Sequence, residues 1–203
     1  MRSFDRQKVP LPKIKKVEFN DGPVVVEIGA GVGLHPIMYS QEFPDHQVLA
    51  IERTRSKFEK FERRLNNHPH IKNCTAIHED AISVITHLIG DAQVDRYFIL
   101  YPNPYPKKND QNKRFYAMPF MEEILRTLKA DGEIILATND LQYKKECIEF
   151  FKNDWHLELV EESLVTKGRT HFEKKYLLRN EPCYNLLFTR KSILSSTGPN
   201  NLA

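Results

Sequence analysis

The sequence is poor in the features that mark membrane-spanning, secreted and metal-binding chains. Its 203 residues contain only three cysteines, Cys74, Cys147 and Cys183, which lie far apart without the spacing of a metal site. No apolar run approaches the roughly 18 residues of a membrane-spanning helix, and the first residues lack the apolar core of a signal peptide. His68 and His70 flank a proline without a further ligand nearby, so we interpret them as surface residues. We therefore expect reduced cysteines, no bound metal, no membrane partner and a cytoplasmic location.

A strong charge of one sign is also missing. The net charge is +3 and 40% of the residues are hydrophobic, which is enough to bury one core. We expect one domain over residues 23–194, followed by a polar tail, 195–203, that frays. Residues 1–22 form a basic arm whose prolines oppose a regular helix. This arm either contacts a phosphate backbone or is simply solvated.

The most informative stretch is 23–33, where an apolar, β-branched run ends at Glu27 and is followed by Gly29, Gly31 and Gly33. The pattern predicts a buried strand that leads into a tight loop, and the glycines allow a ligand to approach the backbone closely. An acid at Glu27 would repel a diphosphate but would suit a ligand with an ammonium group. The stretch therefore favours S-adenosylmethionine over a nicotinamide dinucleotide, and a glycine turn without any ligand is the alternative.

Two further acids follow predicted strands. Glu52 stands at the tip of the second strand, where it could accept hydrogen bonds from both hydroxyls of a ribose. The alternative is an exposed carboxylate that pairs with Arg53 or Arg55. Asp80 precedes a predicted helix that begins at Ala81, so it could cap that helix or accept from the exocyclic amine of adenine.

A stiff loop follows the predicted fourth strand. Residues 101–108 contain three prolines that alternate with polar and aromatic residues, which keeps the backbone extended. Because ligands bind at the carboxyl ends of strands in open α/β sheets, we expect Asn103 and Tyr105 to face the reacting centre. A rigid loop without a substrate is the alternative.

Strands and helices alternate along the chain, and two strands follow at the end. This order predicts a doubly wound α/β sheet that closes with an antiparallel pair. The predicted helices lie at 34–43, 56–66, 81–88, 113–129 and 143–153. The predicted strands lie at 23–28, 47–51, 73–78, 94–100, 133–138, 157–165 and 183–190, with a turn at 130–132.

At residues 101–108 the sequence resembles the bacterial tRNA (guanine-N(7)-)-methyltransferase family, whose signature there reads Phe-Pro-Asp-Pro-Trp-x-Lys. The resemblance extends over most of the chain. The other matches occur in the family's order at Glu27, Glu52, Asp80-Ala81, Lys107, Thr138-Asn139 with Tyr143, and Thr170-x-Phe172-Glu173. The resemblance implies a Rossmann-like class I methyltransferase fold, with a mostly parallel sheet and helices on both faces.

The resemblance also implies a reaction and a set of site residues. The cofactor would be S-adenosylmethionine, the product S-adenosylhomocysteine and the partner tRNA, bound by a monomer or a homodimer. The expected cofactor-binding residues are Glu27, Gly29, Gly31, Gly33, Glu52, Asp80, Ala81 and Asn103, and Asn103 also holds the catalytic position. The expected substrate-binding residues are Lys107, Asn139, Thr170, His171, Phe172 and Glu173.

The sequence departs from the family at two acidic positions. Asn103 and Asn139 stand where the family has aspartate, and residues 109–112 replace most of a basic segment. The lost cations predict a weaker hold on phosphates. Three interpretations follow: a tRNA guanine-N(7) methyltransferase with an altered site, a related methyltransferase acting on another RNA or a small molecule, or a non-catalytic relative that binds S-adenosylmethionine or RNA.

Overall fold

The structure is a computed structural model that describes residues 3–191, apart from the side chain of Lys108. The expected frayed tail, 195–203, lies outside the described residues. Seven strands form one sheet: β1 (Val24–Ile28), β2 (Gln47–Ile51), β3 (Cys74–Ile77), β4 (Val94–Leu100), β5 (Leu128–Thr138), β6 (Leu157–Leu164) and β7 (Tyr184–Arg190).

Helices occupy most of the connections between strands. The α-helices are α1 (Leu34–Glu42), α2 (Arg55–Asn66), α3 (Ala81–Leu88), α4 (Met121–Thr127), α5 (Leu141–Asn153) and α6 (His171–Leu177). Short 3-10 helices cover Arg6–Lys8, Lys108–Lys113 and Phe115–Ala117. Within residues 3–191, no helix combines the length and the apolar character that crossing a membrane requires.

The strand order is β3-β2-β1-β4-β5-β7-β6. The first five strands are parallel, and β7 pairs antiparallel with both β5 and β6. The predicted mostly parallel sheet with a final antiparallel pair is therefore confirmed. The direction in which the chain adds strands reverses at β1, because β2 and β3 lie on one side of β1 and β4 and β5 lie on the other. In such sheets the crevice beyond the carboxyl ends of the central strands is the usual place for a ligand.

The central strands are apolar on both faces because they lie inside the core. All residues of β2 and the first four of β1 are buried, because helices cover both sides of the sheet. On one side, Phe61 of α2 is fully buried and lies against Gly33. A Cβ at Gly33 would come within 1.9 Å of the Phe61 ring, so only glycine allows this helix to pack so closely.

The prediction of one helix over 113–129 is wrong, because the α-helix in this region is much shorter. The structure has short 3-10 turns followed by α4, which begins only at Met121. Pro119 explains the difference, because proline lacks a backbone N–H and pushes the preceding residue out of the helical region. Met118 is accordingly extended, with a ψ of 134°.

The turn predicted at 130–132 is also wrong. These residues belong to β5, which runs without a break from Leu128 to Thr138. Leu128 pairs with Val94 and Glu133 pairs with Arg96, so extra residues bulge out of the ladder between the two pairs. The Asp-Gly sequence therefore forms a bulge rather than a chain reversal.

The described part of the basic arm, residues 3–22, packs on the domain. Phe4, Ile14, Val17 and Phe19 contact the main apolar core. The guanidinium of Arg6 donates to the carbonyl of Thr86 at 3.0 Å, and the Lys13 backbone N–H donates to Glu79 at 2.7 Å. These contacts hold the arm along the edge of the domain.

Candidate active site

A cavity of about 750 Å³ lies beyond the carboxyl ends of β1, β2, β4 and β5. This volume is typical of pockets that enclose a small molecule. Eleven of the fourteen expected site residues line it: Glu27, Gly29, Gly31, Glu52, Asp80, Ala81, Asn103, Asn139, Thr170, His171 and Phe172. Gly33, Lys107 and Glu173 are not part of its wall.

The glycine loop after β1 forms one wall of the cavity. Gly29 and Gly31 have φ angles of +75° and +59°, in the left-handed region that other residues rarely adopt. A Cβ at Gly29 would meet no atom within 4 Å, so the loop presents bare backbone to open space. The loop can therefore approach a ligand without an intervening side chain.

Glu52 ties this loop to the end of β2. Its side chain accepts a hydrogen bond from the Gly31 N–H at 2.9 Å and another from the Thr54 N–H at 2.6 Å. The residue is 5% exposed, yet it lines the cavity. Its partners are backbone amides, so the alternative pairing with Arg53 or Arg55 is wrong. Each carboxylate oxygen has a second lone pair with which it can accept from a ligand.

Glu27, at the end of β1, is the second buried acid of the cavity. The Nδ1–H of His35 donates to its Oε2 at 2.8 Å, and both residues are almost fully buried. The His35 ring packs edge-on against Phe98, with 4.5 Å between the ring centroids. A buried carboxylate needs a hydrogen-bond partner, and His35 supplies it for Glu27. Because His35 contacts only Oε2, the Oε1 atom remains available to accept from a ligand.

Asp80 caps α3, which is the first of the two roles expected for it. Its Oδ1 accepts from the Ile82 N–H at 2.8 Å, and its Oδ2 lies 3.3 Å from the guanidinium of Arg53. The side chain also lines the cavity. It therefore adds a third acid to the part of the cavity that Glu27 and Glu52 occupy.

The stiff loop after β4 forms the opposite wall. Tyr101 and Tyr105 have φ angles of +54° and +42°, which are strained for bulky residues and typical of functional sites. Asn103 accepts from the Tyr105 N–H at 3.2 Å and thereby holds the loop in its bend. The Tyr101 ring lies 5.6 Å from Tyr176 and 6.3 Å from Phe172. We call Tyr101, Phe172 and Tyr176 the aromatic wall.

Burial determines the protonation state of the Tyr101 hydroxyl. It raises the pKa of the Tyr101 hydroxyl well above its ordinary value, so the group stays neutral at physiological pH. The hydroxyl has no hydrogen-bond partner among residues 3–191. Tyr101 thus presents a neutral aromatic ring to the cavity rather than an ionisable group.

Glu173 is placed differently from our expectation. It is fully buried, and it accepts hydrogen bonds from the backbone and guanidinium of Arg169 and from the Thr170 N–H. Together with Thr170 it forms a capping box at the start of α6. This placement opposes direct substrate contact by Glu173 and favours a role in holding Thr170 and Phe172 in position.

Acids line the end of the cavity formed by the ends of β1 and β2 and the residues before α3, which we call the acid-rich end. Arg53 lies among these acids, 3.3 Å from Asp80, and Lys57 and Lys113 also line the wall. Lys107 is exposed and lies off the wall, and Lys113 pairs with Asp110 at 2.7 Å. No three potential metal ligands come together in the part of the chain that the structure describes.

Comparison with known proteins identifies the family. A family model described as "Putative methyltransferase" matches residues 21–186. A tRNA (guanine-N(7)-)-methyltransferase of Buchnera aphidicola subsp. Schizaphis graminum is 30% identical over 178 residues, which cover 85% of this chain and 74% of that protein. The chain belongs to the tRNA (guanine-N(7)-)-methyltransferase family. The protein of this name from Chlamydia felis is 26% identical over 149 residues, 73% of this chain and 66% of that one.

Solved structures of methyltransferases share the fold of this family member. One is the 30S ribosomal A1408 methyltransferase from an uncultured bacterium, with a TM-score of 0.58, 18% identity and coverage of 83% of this chain and 88% of that chain. The chain spans about two thirds of the length of the Chlamydia relative and 74% of the length of the Buchnera relative. At 18% identity, the likeness to the A1408 methyltransferase shows the shared fold alone.

The sequence interpretation missed several residues of the site. His35 lies eight positions after Glu27, and only the turn of the glycine loop brings the two side chains together. Arg169 precedes Glu173 by four residues, and this spacing was a usable signal for their ion pair. Glu181, which contacts Asn139, is separated from it by 42 residues, and no local pattern could have revealed that contact.

Proposed function

We propose that this chain transfers a methyl group from S-adenosylmethionine to N7 of guanine in tRNA. The observation that carries the proposal is the placement of two buried carboxylates, Glu27 and Glu52, at the tips of two neighbouring parallel strands beside a bare glycine loop. The names of the relatives support guanine in tRNA as the acceptor.

The residues of the acid-rich end fit S-adenosylmethionine. Glu27 would hold the ammonium group, and Glu52 would accept from the ribose hydroxyls. Asp80 and Ala81 would lie beside the adenine. The left-handed backbone at Gly29 fits this arrangement, because a side chain there would occupy the space that the ligand needs.

The end of the cavity beyond β4 and β5 suits a flat base. The aromatic wall offers ring faces, on which a base stacks with about 1 to 3 kcal/mol. Asn139 and Thr170 add polar groups beside it. The exposed cations Lys107 and Lys175 lie in the loop after β4 and on α6, where they could contact phosphates of a bound RNA.

The reaction requires mainly that the methyl donor and the acceptor are aligned. When bound, S-adenosylmethionine supplies a methyl group on a positively charged sulfur, and N7 of guanine takes it up with a lone pair that is free at neutral pH. The chain therefore needs no general base, and its residues act by holding both partners in line and by excluding water. The neutral side chain of Asn103 stabilises positive charge less well than a carboxylate, so we expect a rate about tenfold lower than a carboxylate at this position would give.

Methylation of tRNA transcripts tests the proposal. The chain is incubated with S-adenosylmethionine labelled in the methyl group, and the digested nucleosides are separated. We expect label in N(7)-methylguanosine, with a signal about tenfold lower in Glu27→Gln at subsaturating S-adenosylmethionine and an unchanged signal in Glu59→Gln, a change on the exposed face of α2. Label in a different nucleoside, or transfer only to a small molecule, would contradict the proposed acceptor.

A further inference from the structure

The amide of Asn139 is held by a carboxylate from a distant part of the chain. Asn139 directly follows β5 and lines the cavity. Its Nδ2 donates to Oε2 of Glu181 at 3.0 Å. Glu181 lies between α6 and β7, and its Oε1 is 3.8 Å from the guanidinium of Arg179. The antiparallel pairing of β7 with β5 brings Glu181 to this position.

This contact permits only one orientation of the amide. An ionised carboxylate has no hydrogen to donate, so the NH₂ group of Asn139 must face Glu181. The Oδ1 atom then points elsewhere and remains available as an acceptor. Without Glu181 the amide could turn over about its last side-chain bond and present donors instead. The negative charge also polarises the amide and makes Oδ1 a stronger acceptor.

We infer that Glu181 is a positioning residue that sets base specificity, by orienting Asn139 so that Oδ1 accepts from the donor edge of guanine. Guanine carries an N1–H and a 2-amino group, whereas adenine has an acceptor at N1 and no 2-amino group. A fixed acceptor placed opposite N1 and the 2-amino group therefore pairs with guanine, whereas adenine has its only amino donor at C6 and offers none at that position. The inference rests on the proposed function, because it assigns guanine to the cavity.

Three variants test it through steady-state methylation of tRNA: Asn139→Asp, Glu181→Gln and the double variant. Asn139→Asp places two carboxylates about 3 Å apart, so we expect kcat/KM to fall about tenfold at pH 8. It should recover as the pH is lowered, because a proton shared by the pair removes the repulsion. In the double variant the glutamine at 181 donates to the aspartate at 139, so kcat/KM should return to at least the wild-type value.

Glu181→Gln alone is isosteric, and it allows the amide of Asn139 to turn over. We expect a severalfold rise in KM for tRNA with a smaller change in kcat, and a loss of preference for guanosine over adenosine nucleotides in competition. The affinity for S-adenosylmethionine should be the same in all variants, which separates this role from misfolding. Glu161→Gln, on the exposed part of β6, is the matched control and should behave as wild type.

The outcomes distinguish the two proposals. If the wild-type chain methylates N7 of guanine but the effects of the single variants simply add, without rescue in the double variant, the role of Glu181 is refuted and the proposed function stands. If the wild-type chain does not methylate tRNA, the proposed function fails, and the inference about Glu181 fails with it. Rescue in the double variant together with the pH response of Asn139→Asp would establish the inference.

Discussion

Replacing Glu52 with glutamine should weaken S-adenosylmethionine binding about tenfold. The carboxylate is 5% exposed and accepts from the backbone N–H groups of Gly31 and Thr54. A hydrogen bond to a charged group contributes about 1.5 to 3 kcal/mol, against about 1 kcal/mol for a neutral one. Losing the charge opposite a ribose therefore costs about 0.5 to 2 kcal/mol, which is roughly a factor of 2 to 30 in the dissociation constant.

The same change should also lower the free energy of unfolding. One end of the glutamine amide is an NH₂ group, which cannot accept from Gly31 or Thr54, so one buried backbone N–H loses its partner. Such a loss costs about 1 to 3 kcal/mol. Glu52 thus affects both the loop and the ligand, and the assay must separate the two effects.

Titration calorimetry with S-adenosylhomocysteine and with its 2′-deoxyribose analogue achieves this separation. The wild-type chain should bind the deoxy analogue more weakly, whereas Glu52→Gln should distinguish the two ligands much less. Glu59→Gln, an exposed acid paired with Arg55 on α2, is the control and should match the wild type. An unchanged preference for the ribose hydroxyl in Glu52→Gln would refute the assignment.

Three further changes test other parts of the site and fold. Glu27→Gln should weaken S-adenosylmethionine binding about tenfold in calorimetry but leave adenosine binding unchanged, since adenosine has no ammonium group; equal losses for both ligands would contradict the role. Gly29→Ala should lower the free energy of unfolding in urea by about 1 to 2 kcal/mol through backbone strain, and Gly33→Ala by clearly more because of the Phe61 ring; equal losses would contradict the packing. Burial raises the pKa of the Cys74 thiol to about 12 from 9.0, so the native state keeps a proton that the unfolded chain releases above pH 9. The free energy of unfolding should therefore fall from pH 9 to pH 12, and less so in Cys74→Ala; the same slope in both chains would exclude this cause.

The sheet and the positions of Glu27 and Glu52 at its edge could be predicted because their signals are local. Strand ends are visible as apolar runs that stop at an acid, and parallel strands bring Glu27 and Glu52 to one edge of the sheet. Pro119 marked the late start of α4 in advance, although we placed the helix across it. The bulge at 130–132 was not predictable, because the Asp-Gly sequence is equally suited to a turn.

The polar partners of the site residues could not be predicted, because they come from distant positions. His35 reaches Glu27 only after the glycine loop has turned. Glu181 reaches Asn139 only after β7 has paired with β5. The burial of Glu173 follows from the capping box with Thr170, whose local pattern was readable in the sequence, although we assigned these residues to the substrate.

A crystal structure of the chain with S-adenosylmethionine tests the central claim most directly. We predict density for the adenosine in the cavity, with the ribose hydroxyls on Glu52 and the ammonium group on Glu27. Adenosine bound at another place, or a ribose without contact to Glu52, would contradict this account of the site.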